Sequence, residues 1–255
     1  MERIPESPAS ADLGRLTGFD PRRHAFRFPN RFVDVLFSGR LPPVVGRKVT
    51  WTGRGRCGGM AFSALDHLHA EAEVPPSTSE DFRTADGTSP GVPPDGHPLA
   101  DHIRARQRRS MVTGWCGALN GIRYLTWSAM PTGWLIRLTR REVRRALASL
   151  DDGVPVVLGL VSVHSLRPSA LGRNHQAVCH GYRRSPAGEL ELLLYDPNHP
   201  YDPCAPARSA VVLRRREGDA PSSPYQSGAP GSVPRPWRGF FVARYRPRPL
   251  PPTLR

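Results

Sequence analysis

A cysteine, a histidine and a carboxylate, far apart in the chain, are the residues whose settings suit them to chemistry. Cys57 follows a glycine-rich cationic run, Gly53-Arg54-Gly55-Arg56, and precedes Gly58-Gly59-Met60-Ala61-Phe62-Ser63-Ala64-Leu65-Asp66-His67-Leu68. Met60, Ala61, Ala64, Leu65 and Leu68 recur at the 3.6-residue period of a helix with one buried face, and Phe62 lies off that face, which implies burial on a second side. The period puts the cysteine in the first turn, where backbone N–H groups lack intrahelical acceptors and present partial positive charge. A thiolate is stabilised there. Its pKa should fall below the free value of about 8.5, with Arg54 and Arg56 adding to the effect. Gly58 and Gly59 let backbone and substrate come close. The competing expectation is a small, buried, inert cysteine, the usual fate of a free thiol.

A cysteine nucleophile needs a base within hydrogen-bond reach, and the base needs a third group to hold its ring. Asn174-His175-Gln176-Ala177-Val178-Cys179-His180-Gly181-Tyr182 reads as a strand that begins at His175, so its ring can project at a sheet edge. Alternation puts Ala177 and Cys179 on the face of His175, and Val178 and His180 on the other. Leu192-Leu193-Leu194-Tyr195-Asp196-Pro197-Asn198-His199-Pro200 is a strand ending in a polar turn. From an adjacent strand, Asp196 or Asn198 could accept the imidazole N–H and fix its tautomer. Singly, each has a plain alternative: a satisfied, partly buried histidine, and a turn former.

These side chains must be positioned by the elements around them. Residues 1–25 are polar and proline-punctuated and read as a loose tail. Phe26 to Phe37 reads as an extended segment packed on the body, and a central helix is expected from Cys57 to Ala72. Val74–Pro98 and residues 218–236 read as long Pro/Gly loops, the first mobile over a cleft rim or disordered. A basic helix should start near Asp101, followed by an unassigned stretch bearing Trp115, Trp127 and Trp134. Thr139-Arg140-Arg141-Glu142 has the form of a capping box opening a helix that ends at Asp152-Gly153. Strands are expected over 154–161, 175–182, 190–195, 210–213 and 240–243. Helices first and strands later read as one α+β domain over 26–247, with a short tail at 248–255.

Composition narrows the class. The chain has 255 residues and a net charge of +14, yet Lys48 is its only lysine, so the arginine excess reads as coding bias more than as a partner's footprint. Nonspecific polyanion binding in vitro is expected; a nucleic acid as biological partner is the weaker expectation, since no RNA-binding aromatic signature or zinc finger is present. No apolar run approaches the roughly 18 residues of a membrane span, and Met1–Pro8 lacks the apolar core of a secretory signal, so a cytoplasmic protein without membrane partners is expected. The four cysteines (57, 116, 179 and 204) are too widely spaced to suggest a disulfide scaffold. Cys179, His180, His199 and Cys204 suggest a metal only faintly, and no motif implies a cofactor.

The Cys-Gly-Gly-Met helix start, the His-x-Ala-Val…Gly-Tyr strand and the Tyr-Asp-Pro-Asn turn together resemble papain-like cysteine peptidases, in particular bacterial papain-like proteins of the bacteriocin-processing style. The likeness spans roughly Phe26 to Tyr245. It implies a helical lobe carrying the cysteine facing an antiparallel β lobe carrying the histidine, with Cys57 as nucleophile, His175 as base and then acid, and Asp196 or Asn198 as orienter. A peptide or protein substrate would lie between the lobes, near Trp51, Arg56, Gly58 and Gly59. The family's oxyanion glutamine is missing, and Trp51 stands near its place, so a weakly active or inactive binding module is the alternative that the resemblance allows.

Overall fold

The computed structural model describes residues 14–40, 48–87, 89–185, 188–216 and 222–255, the side chains of 35–40, 48–54 and Pro168 excepted. Among them are six α-helices: α1 (Pro21–His24), α2 (Cys57–His69), α3 (Pro98–Met111), α4 (Gly114–Ala129), α5 (Thr132–Asp151) and α6 (Pro168–Leu171). β1 (Val33–Arg40) and β2 (Lys48–Arg54) pair as an antiparallel ribbon. The remaining strands are β3 (Val156–Val161), β4 (His175–Arg184), β5 (Leu190–Tyr195), β6 (Val211–Arg215), β7 (Tyr225–Gly228), β8 (Arg235–Trp237) and β9 (Gly239–Val242). They form one antiparallel sheet in the order β8-β7-β6-β5-β4-β3-β9. The chain is α+β. Its edge strands β8 and β9 are separated in sequence by Arg238 alone, so the sheet has to curl until its edges approach.

Strand alternation sorts the curled sheet into two cores. Leu158, Leu160, Ala177, Cys179, Leu192, Leu194, Val211, Leu213, Trp237 and Phe240 fill the inner face, which α5 closes with Ala146 and Leu150. Val157, Val161, Val178, Tyr195 and Phe241 face outward onto α2, α3 and α4 and the aromatic residues Phe19, Phe26 and Phe28. By the period of two, His175 and Asp196 share the inner parity, and both fall where their strands run out. They stand together at one end of the curl.

Helix α2 is buried all round from Gly58 to His67, as the off-face Phe62 implied. It stops at His69, short of Ala72, because Glu71 takes a left-handed φ of 53°. Gly58 and Gly59 are places of close packing. A Cβ on Gly58 would lie 2.2 Å from Ser110 Oγ, and one on Gly59 2.2 Å from the Ile103 carbonyl, so the glycine pair lets α2 close on α3 and β4.

Thr139 and Glu142 are not a capping box, because α5 begins at Thr132 and both residues lie inside it. They serve the sheet. Thr139 Oγ1 accepts the Phe240 N–H at 3.2 Å and Glu142 Oε2 accepts the Val242 N–H at 2.9 Å. β9 is an edge strand whose outer N–H groups need acceptors, and α5 supplies them. The tryptophan stretch is α4 and the first turn of α5: Trp127 is buried, while Trp115 in α4 and Trp134 in α5 are exposed.

Four segments expected to be tails or loops are packed where they are described. From Gly14 the N-terminal stretch is anchored: Leu16 bridges Gly181 in β4, and Phe19 and His24 are buried. Val74–Pro98 is held by buried Val74 and Val92 and by Phe82, whose ring meets Phe28 edge-on at 5.5 Å. Residues 222–236 include β7 and most of β8, while the last eight residues bury Leu250 and Leu254. In each case a few apolar side chains among polar turn formers supply the anchor. No helix of the described residues is long and apolar enough to cross a membrane.

Candidate active site

Cys57 is the first residue of α2, and its half-buried side chain meets the His175 imidazole at the start of β4. The His175 Nε2 lies 2.6 Å from Asp196 Oδ1, so Nδ1 is the nitrogen left for the sulfur. His175 and Asp196 are 3% and 4% exposed, which strengthens their attraction over that of a surface pair. Asp196 is the carboxylate that orients the ring. Asn198 supports it, donating its backbone N–H to Asp196 Oδ1 at 2.8 Å with its own Nδ2 3.4 Å from His175 Nε2.

Charge follows from this geometry. Burial pushes the Cys57 thiol up, but the His175 imidazolium, the hydrogen bond from its ring and the Gln176 backbone N–H outweigh that, and the net shift is downward. Burial pushes His175 down, and Asp196 and Cys57 overcome it, raising the imidazole to about 10. The His175 charge likewise overrides burial at Asp196 and holds it well below the usual carboxylate range. These shifts favour a thiolate–imidazolium pair beside the Asp196 carboxylate. Cys179 shows the opposite fate of the same residue type: buried on the inner face, its thiol is pushed up to about 12.

Arg56 does not assist the thiolate. Its guanidinium turns under α2 to Asp34 at 2.7 Å, to Asp95 at 3.0 Å and to the Ala100 carbonyl at 3.1 Å. Those carboxylates neutralise it, and it acts as a strut joining β1, the segment before α3 and the cysteine turn. Arg54 and Trp51 belong to β2, and their side chains lie outside the described residues.

Several residues that hold the site gave little signal in sequence. Trp237 stacks within 10° of parallel on His175, ring centroids 6.1 Å apart, and donates its Nε1–H to Ser227 Oγ at 2.8 Å. Tyr124 donates its hydroxyl to the His175 carbonyl at 2.7 Å. Asn30 accepts the Arg56 N–H through Oδ1 and donates Nδ2 to Asn198 Oδ1 at 3.2 Å, linking the cysteine turn to the Asp196 turn. Asn30 was hidden in a segment that alternation marked only as extended. Trp237 and Tyr124 sit in stretches with no clear period. Among the described residues no group of His, Cys, Asp or Glu side chains is placed to hold a metal ion, and Cys179 and Cys204 do not converge. No protein-family model, curated protein or solved structure matches the chain.

Proposed function

We propose that this chain is a thiol-dependent acyl-transfer enzyme of papain-like build, acting first on a peptide or isopeptide amide. The observation that carries the reading is the His175 ring held between the Cys57 sulfur and the Asp196 carboxylate. The sulfur attacks the carbonyl carbon, a C–S bond forms, and the carbonyl electron pair moves to oxygen. That oxyanion lies at the first turn of α2, where the Cys57 N–H has no acceptor among the described residues. Asn30, beside the same turn, is a side-chain amide with one Nδ2–H left after its bond to Asn198, to serve in place of the absent glutamine. Collapse breaks the C–N bond, and the departing nitrogen takes the His175 proton. Neutral His175 then removes a proton from water as it attacks the thioester, and C–S cleavage restores the thiolate and imidazolium. An amine in place of water gives transfer through the same residues.

Incubation with p-nitrophenyl acetate followed by intact-protein and peptide mass spectrometry tests this directly. The acetyl group should appear on Cys57, vanish in Cys57→Ala, and persist longer in His175→Ala because deacylation lacks its base. Acetylation of Cys57 no faster than of Cys116 would favour the inert binding module.

A further inference from the structure

We propose that Arg235 binds a carboxylate on the departing half of the substrate, an inference that rests on the acyl-transfer reading above. The Arg235 guanidinium carbon lies 4.5 Å from the centre of the Trp237 ring, and that indole stacks on His175. One guanidinium N–H goes to the Arg173 carbonyl at 2.6 Å, two residues before His175 in sequence. These contacts fix the cation on the histidine's side of the thiol. The imidazole hands its proton to the leaving group, so the half of the substrate that departs must lie on that same side.

The cation is held but not neutralised. No carboxylate oxygen of a described residue lies within 4.0 Å of the Arg235 nitrogens, whereas the buried Arg56 and Arg106 beneath α2 both have one. Burial lowers the Arg235 pKa, and Asp196 and Cys57 act against it. It stays charged at any physiological pH. A guanidinium over an indole face keeps its in-plane donors, apart from the one given to Arg173, free for a planar anion, and a carboxylate matches that fork. Two sources carry this chemistry: an acidic side chain just beyond the scissile bond, or the free C-terminus of a short departing peptide.

Alkylation of Cys57 separates the possibilities, because iodoacetate carries a carboxylate and iodoacetamide does not; each forms the same S–C bond and releases iodide. At low ionic strength and fixed pH, the ratio of the two rate constants, which cancels any change in thiolate fraction, should fall about tenfold in Arg235→Gln and should recover largely in Arg235→Lys. An unchanged urea-denaturation midpoint reports that the variant is folded. The source is read from protection against iodoacetamide by acetyl-aspartyl amide, acetyl-diglycine and the neutral acetyl-diglycine amide. Stronger protection by acetyl-aspartyl amide assigns the side chain, and stronger protection by acetyl-diglycine assigns the terminus. Equal protection by all three, or an equal rate ratio in wild type and Arg235→Gln, overturns the assignment while leaving a reactive Cys57 intact. A Cys57 no faster than the exposed Cys204 with either reagent overturns the acyl-transfer reading as well.

Discussion

At the residue scale, the site illustrates how position decides what a titratable group can do. Cys57 and Cys179 are the same thiol in opposed fields: one meets an imidazolium at a helix start, the other lies in apolar packing and is inert. His175 is charged because Asp196 and the Cys57 thiolate face it. Burial alone would favour neutral imidazole, so removing the carboxylate should lower its pKa. In Asp196→Asn the His175 ring, followed by nitrogen NMR, should titrate below its wild-type midpoint, whereas wild-type His175 should remain imidazolium well above pH 7. A ring that titrates alike in both proteins would mean that the 2.6 Å contact does not govern it.

At the element scale, close approach and edge protection account for much of the sequence around the site. Gly58 and Gly59 allow α2 to settle on α3 and β4, which brings a helix start to a strand start. The pair is legible as a motif, but its partners are not, since Ser110 and Ile103 lie on a helix read only as basic. Thr139 and Glu142 carry the spacing of a helix cap, yet they bind β9. The pattern alone could not tell these roles apart, because both use the same side-chain acceptors for orphan N–H groups. Thr139→Val should therefore lower stability by about 1–3 kcal/mol by stranding the Phe240 N–H. Thr139→Ser, which keeps the hydroxyl, should lose less. Urea denaturation checks this, with a lower midpoint and an unchanged slope expected for Thr139→Val.

At the scale of the whole molecule, the strands around His175 and Asp196 were readable because they are continuous, apolar and strongly periodic; β5 runs from Leu190 to Tyr195 as expected. The short strands β7 and β8 were hidden, since four- and three-residue strands amid Pro, Ser and Gly have too little length to show a period. With them went Arg235 and Trp237, and hence the curl that stacks an indole on the histidine. The packed segments before α1 and α3 were missed for a related reason: a few apolar anchors cannot be told from chance within a polar stretch. What joins these parts into one site is a charge shared between residues far apart in the chain. The pH dependence of Cys57 alkylation by iodoacetamide measures that charge most directly. The rate in wild type should titrate with a midpoint below the free thiol's value of about 8.5 and shift upward in His175→Ala. A midpoint at or above that value, identical in both proteins, would contradict the thiolate–imidazolium pair.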